Sequence, residues 1–424
     1  MDQALISAVN LTHLLTMPKR LSYYAALLAF PLVMLAAIIP FSSGSFFDVL
    51  ILPLLFLYNI CRFLHALGNR FFKAPVLIYL LVIGAVTFLR FFVSENPDID
   101  IAAVALRLSM PFFLFVFFSD CYEFISRRSS INQKRYLDAV LVAYIATMDI
   151  LMTISLRNGI GEIGLGLSFP LYTDTQLDRH VYGPAVAIFT LTCFFLIANY
   201  KKFSLNKFRV ILIFVSASIG VFSSFASGSR SPLIIFAAAL IYSLPNLLRS
   251  VKLKSIVLSL SMVSFIILAF GFFANSLTTY SSLIDRSFGS LNAIFSPFDD
   301  HSRGDVSRNI VNSFSSLELW ITGAPQVVGS ADSGPLNLLF NGGMLLVVSF
   351  FLIWAVLLFV LRFSIQKVFL VAVLTQFIVG SETLFIPRYC LVVSASFFIL
   401  SLFVGIVSPV VDLGSCSPEE VSFH

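Results

Sequence analysis

The chain has 424 residues, of which 58% are hydrophobic and only 12% charged, with a formal net charge of +5. Its mean hydropathy is +0.95. Soluble domains carry roughly 25% charged residues, so this composition excludes a soluble enzyme or binding module and marks an all-α polytopic membrane protein. The basic balance follows from holding cations on one side of a bilayer and does not point to nucleic acid.

A helix needs ~20 apolar residues to cross the hydrocarbon core. Twelve stretches qualify: 23–40, 45–64, 74–93, 101–119, 136–156, 181–200, 209–226, 231–248, 255–275, 336–361, 366–384 and 389–407. Residues 1–22 lack a long apolar core, so the first span is expected to serve as an uncleaved signal-anchor. Residues 1–275 hold spans one to nine, with an outer loop over 157–180. A large extracytoplasmic loop fills 276–335, spans ten to twelve fill 336–407, and 408–424 form a polar tail. No internal repeat is visible.

The cations sort by residue type. All nine lysines, from Lys19 to Lys367, fall at span ends or loops that alternate to one face, and eighteen of the twenty-seven bases collect there in every second loop. By the positive-inside rule that face, and with it both termini, is cytoplasmic. The opposite face carries arginine as its only base: Arg90, Arg157, Arg179, Arg230, Arg286, Arg303, Arg308 and Arg388, with Arg107 inside a span. A guanidinium fork suits phosphate oxygens better than an ammonium does, so a phosphate-bearing ligand is expected on that side.

The large outer loop has helical signals. Ser302-Arg303-Gly304-Asp305 fits a capping box, and Val306, Ile310, Phe314, Leu317 and Ile321 follow at helical spacing. The pattern predicts an amphipathic helix over 303–321, on the outer membrane face or packed over the bundle. Just before it, Asp299-Asp300-His301-Ser302-Arg303 gathers two carboxylates, an imidazole and a guanidinium at a helix start, where free N–H groups attract an anion. His301 is the preferred proton acceptor there. The plainer alternative is a solvated loop in which Asp300 and Ser302 only cap a helix.

Three further outer motifs carry candidate chemistry. Ser227-Gly228-Ser229-Arg230-Ser231-Pro232 turns from the seventh span into the eighth, with proline suited to the first helical turn; a snorkelling arginine in a tight turn is the alternative. Asp178-Arg179-His180 ends the first long outer loop and precedes Tyr182-Gly183-Pro184. Ser381-Glu382 and Pro387-Arg388-Tyr389 bracket the last outward turn, with an interfacial anchor as the alternative. Inside the bilayer, Arg107 and Asp149 each sit ~10 Å below the outer end of their spans. Buried membrane charges pair or line a cavity, and a structural ion pair is the expectation. The five cysteines show no CxxC spacing, so neither a disulfide framework nor a zinc site is predicted.

On the Gly-Ser-Arg turn at Ser227–Pro232, the late outer loop with His301-Ser302-Arg303, and the small-residue run Gly329-Ser330-Ala331-Asp332-Ser333-Gly334-Pro335 leading to Asn341-Gly342-Gly343, the chain resembles the bacterial O-antigen polymerase and ligase superfamily. The resemblance covers the general layout of most of the chain, through short motifs. It implies a glycosyltransferase at the periplasmic face of the inner membrane, using undecaprenyl-pyrophosphate-linked oligosaccharide and neither cofactor nor metal. Its partners would be that lipid-linked glycan, membrane lipids and a polysaccharide chain-length regulator. Ligases carry a His-Asn type pair where this chain has Pro335-Leu336-Asn337, which favours a polymerase. Under this reading His301, Arg230 and Arg303 are catalytic, and Arg179, His180, Arg388, Asp305, Asp332 and Glu382 bind substrate. An O-antigen ligase is the nearest alternative. A lipid-linked glycan flippase is the alternative of another class, although such transporters place their sites near the midplane between repeated halves.

Overall fold

The computed structural model describes residues 40–41, 44–45, 78–86, 88, 108–109, 111, 130–159, 175–201, 203–227, 229, 231–250, 314, 316–323, 334–361, 364–379 and 387–407. Apart from turns and helix caps, the described chain is helical, with one short antiparallel pair, β1 (Pro40–Phe41) and β2 (Gly44–Ser45). That pair joins the end of the first predicted span to the start of the second. Eight helices are numbered here in chain order: α1 (Ser130–Gly159), α2 (Thr175–Ala198), α3 (Lys207–Ala226), α4 (Ser231–Ser250), α5 (Leu317–Thr322), α6 (Gly334–Val360), α7 (Ser364–Val379) and α8 (Pro387–Val407). A further helical segment covers 78–86.

Among the described residues, four helices are long and apolar enough to cross a membrane, over Tyr136–Arg157, Val181–Ala198, Lys207–Ala226 and Gly334–Phe359. Shorter apolar stretches lie in α4, α7 and α8. The chain is thus a membrane protein built of helices. The predicted spans 23–40 and 45–64 apart from Pro40 and Ser45, all of 255–275, half of 74–93 and most of 101–119 lie outside the described residues.

Contacts along the helices give their directions. The starts of α1 and α3 meet through Asp138 and Arg209, whose carboxylate and guanidinium pair in two bonds of 2.6 Å. Further along, Ser216 Oγ donates to Asp149 Oδ2 at 2.7 Å, so α1 and α3 run parallel. Helix α2 returns between them. Gly183 faces Ser227 and Gly220 faces Thr190, one antiparallel register held over seven residues of each helix. Phe203, just past the end of α2, meets Phe403 near the end of α8, their ring centroids 5.3 Å apart and tilted by 52°. Gln366 at the start of α7 donates to Ser401 near the end of α8 at 2.7 Å. Gly334 at the start of α6 lies against Phe377 near the end of α7. Strict alternation follows: one end of the bundle holds the last residues of α1, α3 and α7 and the first of α2, α4, α6 and α8.

Helix α2 is the hub. Tyr182, Ala185, Val186, Ala187, Ile188, Phe189 and Thr190 are all fully buried, packed against α3, α4 and α8. Lipid tails are as apolar as leucine, so burial alone drives little association; close packing through small residues does. Helix α3 presents Ser216, Gly220 and Ser224, all buried and spaced by four, to its neighbours. A Cβ at Gly220 would overlap the Thr190 hydroxyl. The opposite face of α3 exposes Phe208 and Ile211, the surface left for lipid.

Several boundaries differ from the sequence expectation. Helix α1 runs on to Gly159 and α2 begins at Thr175, so the outer connection predicted over 157–180 shortens to 160–174. Helix α7 ends at Val379 rather than 384. The tenth span is not one helix: Gly342 (φ −155°, ψ 15°) and Gly343 (φ 65°, ψ −168°) break α6. The amphipathic helix predicted over 303–321 is not continuous. Phe314 and Ser316 are non-helical, and Ser316 caps the short α5 by accepting from the Leu319 N–H at 3.3 Å. A serine with an extended backbone ends the periodic run that the apolar spacing alone would continue.

Candidate functional site at the arginine-bearing end

Three of the outer motifs meet at one end of the bundle. Arg179 and His180 stand in the opening turns of α2 rather than in the preceding loop. Pro184 has no N–H to offer the His180 carbonyl four residues back, which leaves that acceptor without its helical partner. Arg388 opens α8 one residue after Pro387. Arg157 lies in the last turn of α1. The turn from α3 to α4 returns at the same end. The side chains of Arg179, His180 and Arg388 lie outside the described residues, as do Arg230, His301, Arg303, Asp305, Asp332, Glu382 and Arg107.

The serine turn is built from local hydrogen bonds. Ser227 Oγ donates to the Ser224 carbonyl at 2.6 Å and accepts from the Ser229 N–H at 3.2 Å. Ser229 Oγ accepts from the Ser231 N–H at 3.4 Å. Such side-chain to backbone bonds satisfy groups that a helix end leaves open. All three serines are buried. The turn packs directly on α2: a Cβ at Gly183 would overlap the Ser227 hydroxyl and come within 3.0 Å of Ser229 Cβ. The flanks of Arg230 are thereby held against the helical turn that carries Arg179 and His180.

The same end concentrates unsatisfied hydroxyls. Ser155 Oγ on α1, Ser223 Oγ on α3 and Tyr389 OH on α8 are buried with no hydrogen-bond partner among the described residues. Each lies within about two turns of its helix's end at this face. Buried polar groups are normally paired, and among the described residues these three hydroxyls have no partner. Tyr389 is fully buried and is not the lipid-facing anchor offered as one reading of its motif. Deeper in, Tyr144 and Ser396 share a buried hydrogen bond, and Asp149 Oδ1 has no partner among the described residues. The described partner of Asp149 is Ser216; its expected pairing with Arg107 falls outside the described residues.

Other features bearing on this end were missed in the sequence reading. Gly183 and Gly220, which set the distance between α2 and α3, had a signal in the four-residue spacing of Ser216, Gly220 and Ser224. The break at Gly342-Gly343 had one in a double glycine within an apolar run. Among the described residues, no group of three His, Cys, Asp or Glu side chains is placed to hold a metal. No family model, curated protein or solved structure matches this chain significantly.

Proposed function

We infer that the chain is a glycosyltransferase of surface-polysaccharide assembly, an O-antigen polymerase of the bacterial inner membrane with twelve spans and both termini in the cytoplasm. In the proposed reaction a sugar hydroxyl of a lipid-linked acceptor attacks the anomeric carbon of a donor glycan. The bond from that carbon to the undecaprenyl pyrophosphate breaks, and the pyrophosphate leaves with the electron pair. His301 takes the hydroxyl proton. Arg230 and Arg303 stabilise the charge growing on the leaving group, the role of preorganised cations in a transition state, with Arg179 and Arg388 as further phosphate contacts. Asp305, Asp332 and Glu382 orient an arginine or accept from sugar hydroxyls.

The observation that carries this reading is the convergence of the helix starts bearing Arg179, His180 and Arg388 with the serine turn around Arg230. Guanidinium forks suit a pyrophosphate. The three buried hydroxyls at the same end that have no partner among the described residues suit a sugar. The test is the cell-surface polysaccharide profile of a deletion strain complemented with variants. Arg230→Ala and Arg303→Ala are expected to leave single repeats on the lipid A core. Lipid-linked polymer left unattached would favour a ligase instead. Normal polymer length and yield in both variants would remove the assignment.

A further inference from the structure

The break in α6 is occupied. Gly323, which ends α5, has φ +92° and ψ 165°, and Gly343 has φ 65° and ψ −168°. Both conformations belong to a region essentially restricted to glycine. A Cβ on Gly323 would come within 2.6 Å of the Phe340 carbonyl oxygen and within 3.0 and 3.1 Å of the Gly342 and Gly343 nitrogens. These are backbone atoms, so no side-chain rotation relieves the clash. The peptide of Gly323 therefore lies flat on the interrupted backbone of α6.

Side chains complete the contact. Phe314 and Trp320 stack at 4.9 Å. Phe314 and Leu339 form a small apolar cluster with Leu319, Trp320, Leu336, Phe340 and Val347. Leu317 and Ile321, on the other side of α5, are exposed. The α6 segment after the break, 344–360, is ~25 Å long at 1.5 Å per residue, close to the ~30 Å hydrocarbon thickness. The break thus falls near the outer rim, where a tryptophan with one apolar side is at home. Irregular backbone at such depth must be buried against protein or line a cavity, and Gly323 supplies the protein.

We propose that α5 and the Gly342-Gly343 break form a clamp, seated glycine on glycine, that fixes where the long outer segment rejoins the bundle. Gly323 and the backbone at the end of the first two turns of α6 are then held together. Phe314, Leu319 and Trp320 hold the clamp by apolar contact, and the three glycines set how closely it closes.

The chain has two tryptophans, so Trp354→Phe leaves Trp320 as the single reporter in the full-length protein. In that background Gly323→Ala is expected to shift Trp320 emission to the red and roughly double its quenching by acrylamide, while helical circular dichroism is retained. Gly84→Ala is the control, since among the described residues no atom lies within 4 Å of a Cβ there. Hydrogen exchange on the wild-type protein tests the same point without a variant: peptides covering 317–323 and 340–346 are expected to open together. An unchanged Trp320 signal in folded Gly323→Ala protein, or independent exchange of the two peptides, overturns the clamp.

Discussion

Gly183→Ala puts one methyl group where α2 meets the serine turn. Helix propensity alone favours the change by about 1 kcal/mol, because alanine loses less backbone entropy than glycine. Packing opposes it. The new Cβ would overlap Ser227 Oγ and stand 3.0 Å from Ser229 Cβ and 3.2 Å from Ser227 Cβ. Carbon atoms prefer separations of about 3.5–4.0 Å, so the turn must retreat by roughly half an ångström or more. Ser227 Oγ has little freedom to move, being tied to the Ser224 carbonyl and the Ser229 N–H. Overpacking of this kind costs about 1–3 kcal/mol, which outweighs the propensity gain. Gly84→Ala carries the same propensity gain without the clash. Thermal unfolding in detergent should therefore rank Gly84→Ala at or above wild type and Gly183→Ala about 1–3 kcal/mol below Gly84→Ala. If Arg230 acts from this turn, polymer yield should fall further than stability does, since small misplacements of a reacting group cost rate steeply. Equal stabilities for the two alanine variants would refute the packing argument.

The Asp138–Arg209 pair, with side chains about one-quarter exposed (25% and 24%), should give a coupling of about 1 kcal/mol in a double-mutant cycle. Additive single losses would show that the bidentate geometry contributes nothing. Ser216→Ala should cost about 1.5–3 kcal/mol in unfolding experiments, as it removes a hydrogen bond to a carboxylate. If Arg107 is the second partner of Asp149, Arg107→Ala should be restored in part by adding Asp149→Ala; equal losses for the single and double variants would exclude the pair. Arg230→Lys should impair polymer formation much as alanine does, because a point charge lacks the fork, and a fully active lysine variant would argue against bidentate phosphate binding.

Much of the fold was legible in the sequence because a bilayer imposes simple rules. The starts of α3 and α4 and the end of α3 fall within two residues of the hydropathy boundaries, and the Asp138–Arg209 pair joins two helix starts that charge sorting had placed on one side. The outer end of α2 was less legible: Thr175–His180 is polar, so hydropathy ended the helix early although its backbone bonds continue past the apolar window. In α6 the error ran the other way. The high mean hydropathy of 336–361 hid the break at Gly342-Gly343 despite Asn341 beside it, because hydropathy records what lipid accepts and not which φ and ψ the chain adopts.

The candidate site divides along the same line. Residue type alone sorts the cations into an arginine-only set and a lysine-bearing set, and the positive-inside rule is what leads one to expect them on opposite faces. Tertiary structure decided which of those arginines share a place. Gly183 against Ser227 brings the turn around Arg230 to the start of α2. The parallel course of α2 and α8 puts Arg388 at the same end. These are contacts between residues far apart in the chain, set by the close approach of small side chains, and no local pattern encodes which distant helix will fill the space a glycine leaves.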